Sequence, residues 1–555
     1  MVARISVASP LSTPWHLHGN LRMHRPLLTT DYLDRAVELY SDDVGVVADD
    51  GTEFTYGELG ERIDRLSNAL TRWGVEKGDR VALLSPNSHY FIETLYATMQ
   101  LGALYVPLNF RLQPEEYDYL IDDCDPDVVI ADYEYAEKLE HLRGETDVKE
   151  WVVYDADRYA EETGEWHDYE SVLAEADPDA VDRPDISEDD DATILYTSGT
   201  TGDPKGVVHT HRIQHYHALV HSHHVEFEDT DTLLWTSPMF HINGWGHIYG
   251  LTGIGGRHVI LRDFNPETVF ERINAYDVSY LGGAPTVLNM LLEYYEDADV
   301  SSTGEMPVRV ETAASPPPKQ TIKRTEEELG WRIMHAYGAT ETGPIITTSN
   351  SKRKIEAGDK YDIINKPGFA TLNTEIRVVD EDGEDVPLND ATKGEVVTRG
   401  NQVLDRYWNK PEETKRAFHD RLDGWFHTGD IATIDENHMI TIVDRKKDVI
   451  ISGGENISSI EVQDTLYDHP DVSVAAVIGI PHEKWGETPK ALIVTREGSD
   501  LTEEGVIDFC RDRLAHYKCP TVVEFRENLP QTSTGKIQKY ELREEHWSDQ
   551  ESGVN

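Results

Sequence analysis

From residue 31 onward, apolar positions alternate between helical and strand periods. Asp31–Tyr40 has helical spacing, and Phe54-Thr55-Tyr56 leads into an amphipathic run from Leu59 to Trp73. A strand–helix–strand unit follows, with Arg80–Ser85, Tyr90–Leu101 and Leu104–Val106; Asp127–Ala131 is a further short apolar strand. Strands alternating with helices predict an α/β fold on a parallel sheet. Residues 370–443 change character. Ile376–Val379 and Gly394–Arg399 read as short strands, with Asp380-Glu381-Asp382-Gly383 between them as a hairpin turn that lacks the spacing and terminal Glu of an EF-hand loop. Beyond Val472 the pattern predicts strands Val472–Ile480 and Lys490–Thr495, a helix Glu503–Ala515 and a strand Thr521–Phe525. That is a small α/β unit of roughly 110 residues, of a size to stand as its own C-terminal domain.

The 555 residues contain 38% hydrophobic and 28% charged positions, enough apolar material for large buried cores. The length suggests about three or four domain-sized units. Net charge is −53, which repels phosphate polyanions and excludes nucleic acid or anionic lipid as a partner of the overall field. Among the basic residues, 31 are Arg and 20 are Lys. High acidity with little Lys suggests a salt-loving source, because at about 1 M salt the Debye length is about 3 Å and self-repulsion is screened. Cys124, Cys510 and Cys519 fit neither a disulfide framework nor a metal cluster, so a reducing, cytoplasmic setting is expected. No run approaches the roughly 18 apolar residues of a membrane span, and the N-terminus has no signal-peptide core. Glu175–Asp191, with nine carboxylates and one Arg, reads as a solvated linker.

Candidate chemistry begins at Tyr196-Thr197-Ser198-Gly199-Thr200-Thr201-Gly202-Asp203-Pro204-Lys205-Gly206. Its glycines let backbone N–H groups approach an oxyanion, its hydroxyls add donors, and Lys205 adds a charge, so the segment suits polyphosphate. It is not a Walker A loop, because Lys205 is followed by Gly206 and Val207. A histidine run, His209, His211, His215, His217, His221, His223 and His224, contains the i,i+4 pairs 211/215 and 217/221. Such pairs share a helix face and suit zinc, but the run itself supplies no third ligand type.

The phosphate loop resembles the signature of the adenylate-forming (AMP-binding) superfamily, in its acyl-CoA synthetase branch. Five further segments resemble that family's motifs in the family's order: Tyr337-Gly338-Ala339-Thr340-Glu341, Trp425-Phe426-His427-Thr428-Gly429-Asp430, Asp444-Arg445-Lys446-Lys447-Asp448, Ser452-Gly453-Gly454-Glu455-Asn456-Ile457 and Thr532-Ser533-Thr534-Gly535-Lys536. The resemblance covers roughly residues 30–545. It implies a large N-terminal α/β domain over 1–443 and a small mobile C-terminal α/β domain over 444–555. ATP, Mg²⁺ and CoA are the implied cofactor and co-substrates, and a homodimer is compatible with the family.

The resemblance also implies roles. Thr197, Ser198, Gly199, Thr200, Thr201, Gly202 and Lys205 would cradle phosphates. Ala314, Ser315, Tyr337, Gly338 and Ala339 would flank the adenine, with Tyr337 stacked on it; Thr312-Ala313-Ala314-Ser315-Pro316-Pro317 departs from the glycine-rich form expected there. Thr340 would donate to the α-phosphate, and Glu341 would hold Mg²⁺. Asp430 would bind the ribose hydroxyls, Arg445 the ribose or phosphate, and Lys536 would lie between carboxylate and α-phosphate. Lys447 matches the hinge, and Gly453 and Gly454 the approach of the CoA arm. Ser237–Trp245 resembles the acyl-pocket segment of fatty-acid-CoA ligases, with His241 near the reacting carboxylate, Trp245 at the gate, and Gly282 and Gly283 lining the pocket. The expectation is an AMP-forming acyl-CoA ligase for a short or medium carboxylic acid. An enzyme that loads a separate carrier protein stays open as the alternative.

Overall fold

The computed structural model of the protein describes residues 25–155, 166–197, 204–313, 316–357, 359–419, 422–452, 455–482, 484–496, 498–531 and 537–547. Two large sheets carry the first part of the chain. One has eight strands in the order 406–407, 205–210, 191–197, 104–108, 80–84, 128–132, 150–154 and 167–168; the other has nine, in the order 369–370, 345–348, 332–338, 309–312, 280–282, 232–234, 257–259, 44–47 and 53–55. The centre of each sheet is parallel, as expected, and its strands are short and apolar because both faces are covered: Val128–Asp132 is buried at every position. Several outer strands run antiparallel, against expectation, whereas 167–168 stays parallel to 150–154. Asp191–Thr197 returns as Lys205–Thr210, and Arg332–Gly338 returns as Ile345–Thr348. These connections are too short for the crossover that a parallel neighbour requires. Both turns begin within motifs singled out in the sequence.

The helix His211–Val225 packs on strands 191–197 and 205–210 of one sheet and on 345–348 of the other. Thr210 caps its N-terminus, accepting from Ile213 N. Because it lies between layers, His211, His215, His217 and His221 are all buried. The helix Tyr56–Arg72 is started by a capping box between Thr55 and Glu58.

Beyond residue 370, four antiparallel strands, 374–379, 394–400, 426–434 and 440–445, pack around Val378, Val396, Ala432 and Ile440. The strands 455–457, 450–452, 486–495 and 472–482, with 522–525 beside 486–495, form the last sheet. Helices Ser459–Tyr467 and Glu503–Arg511 cover it through Val462, Leu466, Val506 and Cys510. The protein is thus a large N-terminal α/β domain with a smaller C-terminal α/β domain. All three cysteines are buried free thiols. Among the described residues, no helix is long and apolar enough to cross a membrane.

Two expectations change. The helix from Glu503 ends at Arg511 rather than Ala515, because Arg513 N and Leu514 N both close on the Cys510 carbonyl in a tight turn. The acidic 175–191 segment is not a free linker. Asn68 donates to the carbonyls of Asp177 and Asp179, Arg65 to that of Ala176, Arg183 pairs with Asp34, and Lys77 pairs with Asp190. Composition alone shows the carboxylates but not the donors on helix 56–72 and its neighbours that gather this segment.

Candidate active site

The turn after strand Arg332–Gly338 organises one side of the site. Gly338 must be glycine, because a Cβ there would lie 1.6 Å from the Pro344 carbonyl oxygen. The turn is clamped from outside. His209 Nε2 donates to the Thr340 carbonyl at 2.8 Å and its Nδ1 accepts from Gln214 at 2.6 Å; Gln402 donates to Thr342 O at 3.2 Å; Leu404 N donates to Glu341 O at 2.8 Å. Burial pushes His209 down to about 4, so it is a neutral strut with both ring nitrogens satisfied.

Two constellations hang from this turn. The Tyr337 hydroxyl donates to Asp430 Oδ2 at 2.8 Å, and Arg445 Nε lies 3.3 Å from Asp430 Oδ1, the two residues facing each other across paired strands. Burial, and then the Asp430 charge, raise the Tyr337 phenol, which therefore stays a donor. Burial opposes the Arg445 charge, but Asp430 and Asp448 outweigh it and hold the guanidinium protonated. In the second constellation the Tyr407 hydroxyl donates to Glu341 Oε1 at 3.0 Å, while Lys205 Nζ lies 5.3 Å from the Tyr407 ring and pairs with Glu413 at 2.8 Å. Glu341 makes no ion pair among the described residues. A half-buried carboxylate that accepts from a tyrosine hydroxyl and forms no ion pair among those residues is a hard oxygen ligand, so the residue fits Mg²⁺. Tyr407, Gln402 and Glu413 were not found from sequence. They come from residues 402–413, which carry no motif, and only the pairing of Tyr407 with Val207 brings them here.

Lys447, expected at the hinge, is half-buried, and its carbonyl accepts from Arg543 at 2.6 Å. Burial pushes its ammonium down to about 8, with Asp448 opposing. Gln531 and Ile537 form a β-bridge that brackets the segment bearing Lys536. Ser198, Gly199, Thr200, Thr201, Gly202, Ala314, Ser315, Gly453, Gly454 and Lys536 lie outside the described residues.

The segment expected on the acyl side is conformationally unusual. Ile242, Asn243, Gly244, Trp245 and Gly246 all have positive φ, from 48° to 79°, which makes a left-handed turn. L-residues pay roughly 1–2 kcal/mol each for this region, so surrounding contacts must hold it. At Gly244 a Cβ would lie 2.3 Å from the Trp235 indole. Trp245 is buried with Ile242, Ala313 and Ala336, and its ring lies 3.8 Å from where a Cβ on Gly282 would be. Gly283 N donates to the Glu311 carbonyl at 2.9 Å. The structure therefore brings Trp245 and Gly282 together, with Gly283 adjacent; His241 is half-buried just ahead of the turn.

Neither i,i+4 histidine pair forms a three-ligand group among the described residues. His211 Nδ1 bonds Thr29 Oγ1 at 2.8 Å, and His215 Nδ1 bonds Leu28 O at 2.8 Å. His221 instead meets His247 and Glu311, residues remote in sequence, with ligand atoms within 4.8 Å of one another.

The chain matches the family described as AMP-binding enzyme over residues 33–408 and its C-terminal domain over residues 461–536. It is 35% identical over 539 residues to 2-methylpropanoate–CoA ligase CCL4 of Humulus lupulus, covering 94% of this chain and 95% of that protein. It is also 35% identical over 527 residues to 4-hydroxybutyrate–CoA ligase 2 of Metallosphaera sedula, covering 94% of each. The anthranilate CoA ligase AuaEII, solved with anthranoyl-AMP, superposes with a TM-score of 0.84 at 25% identity, over 94% of this chain and 98% of that one. With motifs, both domains and near-full-length likeness in agreement, this chain belongs to the AMP-binding enzyme family.

Proposed function

We infer that the protein is an AMP-forming acid–thiol ligase. It activates a carboxylic acid with ATP and transfers the acyl group to CoA. In the first step a carboxylate oxygen attacks the α-phosphorus, the bond to pyrophosphate breaks, and an acyl-adenylate forms. In the second, the CoA sulfur, having lost its proton, attacks the acyl carbonyl, and the bond to AMP breaks. The observation that carries this reading is the turn at 337–341 joined to Asp430 and Arg445, in a chain similar over nearly its whole length to CoA ligases.

In this reading Tyr337 borders the adenine and Asp430 accepts from the ribose hydroxyls. Thr340 and Lys205 face the phosphates, and Lys536 offsets charge that develops during attack. Glu341 would hold Mg²⁺, whose charge neutralises the phosphate oxygens. Lys447 serves as the hinge between a domain ending near residue 443 and the C-terminal domain. Gly453 and Gly454 admit the pantetheine arm, and His241 lies near the carboxylate. The acid is aliphatic and short to medium in length. Relatives at 35% identity that act on a branched and a hydroxylated four-carbon acid support this, as does the closeness of Trp245 to Gly282.

Pyrophosphate release with Mg-ATP, with and without CoA, across acids from acetate to palmitate and benzoate, tests the reading. CoA-dependent turnover that peaks on short or medium acids and is lost in Lys536→Ala is the expected result. Release that ignores CoA and stops after one turnover would point to a carrier-loading enzyme instead. The net charge of −53 further implies a protein adapted to molar salt. Its melting temperature should rise steadily from 0.1 to about 3 M KCl as repulsion is screened, and a flat series would refute that adaptation.

A further inference from the structure

Behind the left-handed turn lies a buried charged cluster that the ligase chemistry does not use. Glu311, 1% exposed, sits in the strand 309–312 just before the adenine-side segment. Its carboxylate receives His221 Nε2 at 2.9 Å, His247 Nε2 at 3.1 Å and the Tyr280 hydroxyl at 2.8 Å. On its other side, His221 Nδ1 lies 3.0 Å from the backbone carbonyl of Trp245. A carbonyl and a carboxylate only accept, so both nitrogens of His221 must carry protons. His221 is therefore a cation bridging a buried anion and the Trp245 backbone. His221 and His247 also stack, with ring centroids 4.8 Å apart. The same ligand atoms have the composition of a metal site, but their separations are those of hydrogen bonds, and Tyr280 and both imidazoles already engage the carboxylate.

We propose that the His221–Glu311–His247–Tyr280 cluster is a positioning device for acyl selectivity: it anchors the Trp245 carbonyl, holds the left-handed turn closed, and so keeps the Trp245 ring against Gly282 and the pocket shallow. The inference rests on the assignment of Trp245 to the acyl pocket. The turn has positive φ at five successive residues, three of which, Ile242, Asn243 and Trp245, carry side chains that disfavour it, and the helix 211–225 supplies a charged hydrogen bond to its backbone. Weakening that bond lets the turn relax and the indole withdraw, which deepens the pocket. His221, His247, Glu311 and Tyr280 touch no reacting atom in this account; they act through Trp245.

The test compares kcat/KM for straight-chain acids from two to twelve carbons in wild type, Glu311→Gln, Trp245→Ala and the double variant, with KM for ATP measured in parallel. Glu311→Gln is expected to shift the long-to-short ratio toward longer acids by about tenfold or more, the scale at which one methylene is discriminated, while KM for ATP stays within about twofold. The double variant should shift no further than Trp245→Ala alone. If Glu311→Gln does not fold, Tyr280→Phe is read the same way and is expected to shift the ratio in the same direction. A uniform loss across all acids, or additive shifts in the double variant, overturns the proposal. So does one equivalent of zinc in the purified wild type that Glu311→Gln loses, since the cluster would then be a metal centre. A shift in Trp245→Ala without one in Glu311→Gln overturns this inference alone. An unchanged profile in Trp245→Ala overturns the acyl-pocket assignment, and this inference with it.

Discussion

The proposed nucleotide side and the proposed acyl side are built from different kinds of interaction. Around Tyr337, Asp430 and Arg445 the contacts join strand residues, each within a motif, and backbone geometry places them: Asp430 and Arg445 are simply cross-strand neighbours. On the acyl side, Trp245 sits in a left-handed turn held by a histidine 24 residues earlier, whose partner Glu311 is 90 residues further along the chain. In the proposed reading the motif-borne residues all meet one nucleotide. The shape of a pocket for a variable acid rests instead on packing and long-range charge, which leave no local pattern.

That contrast can be broken most forcefully on the nucleotide side. Glu341→Gln should lower the rate of acid-dependent pyrophosphate release about 100- to 1,000-fold, the cost of losing one charge-stabilising group, while leaving the ranking of acids intact. A changed ranking would mean the two sides are not separable. Asp430→Ala should raise KM for ATP about 10- to 100-fold, from loss of a charged hydrogen bond of about 1.5–3 kcal/mol, with the same neutrality toward the acid; steady-state kinetics at varied ATP will show it.

Acid should loosen the layer between the sheets. Burial lowers His211 to about 4 and His258 to about 3, while unfolded histidines titrate near 6.5. Between those values the unfolded chain binds protons that the folded chain refuses, so stability is full above about pH 6.5 and falls as pH drops. The slope reaches about 1.4 kcal/mol per pH unit for each such histidine. Burial also pushes Glu311 up, but the charge and hydrogen bond of His221 and the hydrogen bond of His247 outweigh it and hold the carboxyl below its usual range, so it keeps its charge through this window. Denaturant midpoints at pH 7, 6 and 5 should fall in that order, and equal midpoints would refute the account. The smallest effect is expected for Tyr280→Phe, which removes one donor from Glu311. It should cost about 1–2 kcal/mol in urea unfolding without altering KM for ATP.

The sequence by itself determined the α/β class and the motif order, and it singled out Tyr337, Asp430 and Arg445, which the structure brings together. Alternating periods follow from how each element buries its apolar face, and a glycine such as Gly338 is demanded by a close backbone contact wherever that turn occurs. Only the tertiary structure decided that the acidic 175–191 segment is gathered by Arg65, Asn68, Lys77 and Asp34 rather than free, and that Tyr407 approaches Glu341. The histidine run suggested pairing within one helix, whereas burial between two sheets turned His221 toward Glu311 and His247. A buried charge must find its partner in space, and neither the distance along the chain nor the local pattern says where that partner lies.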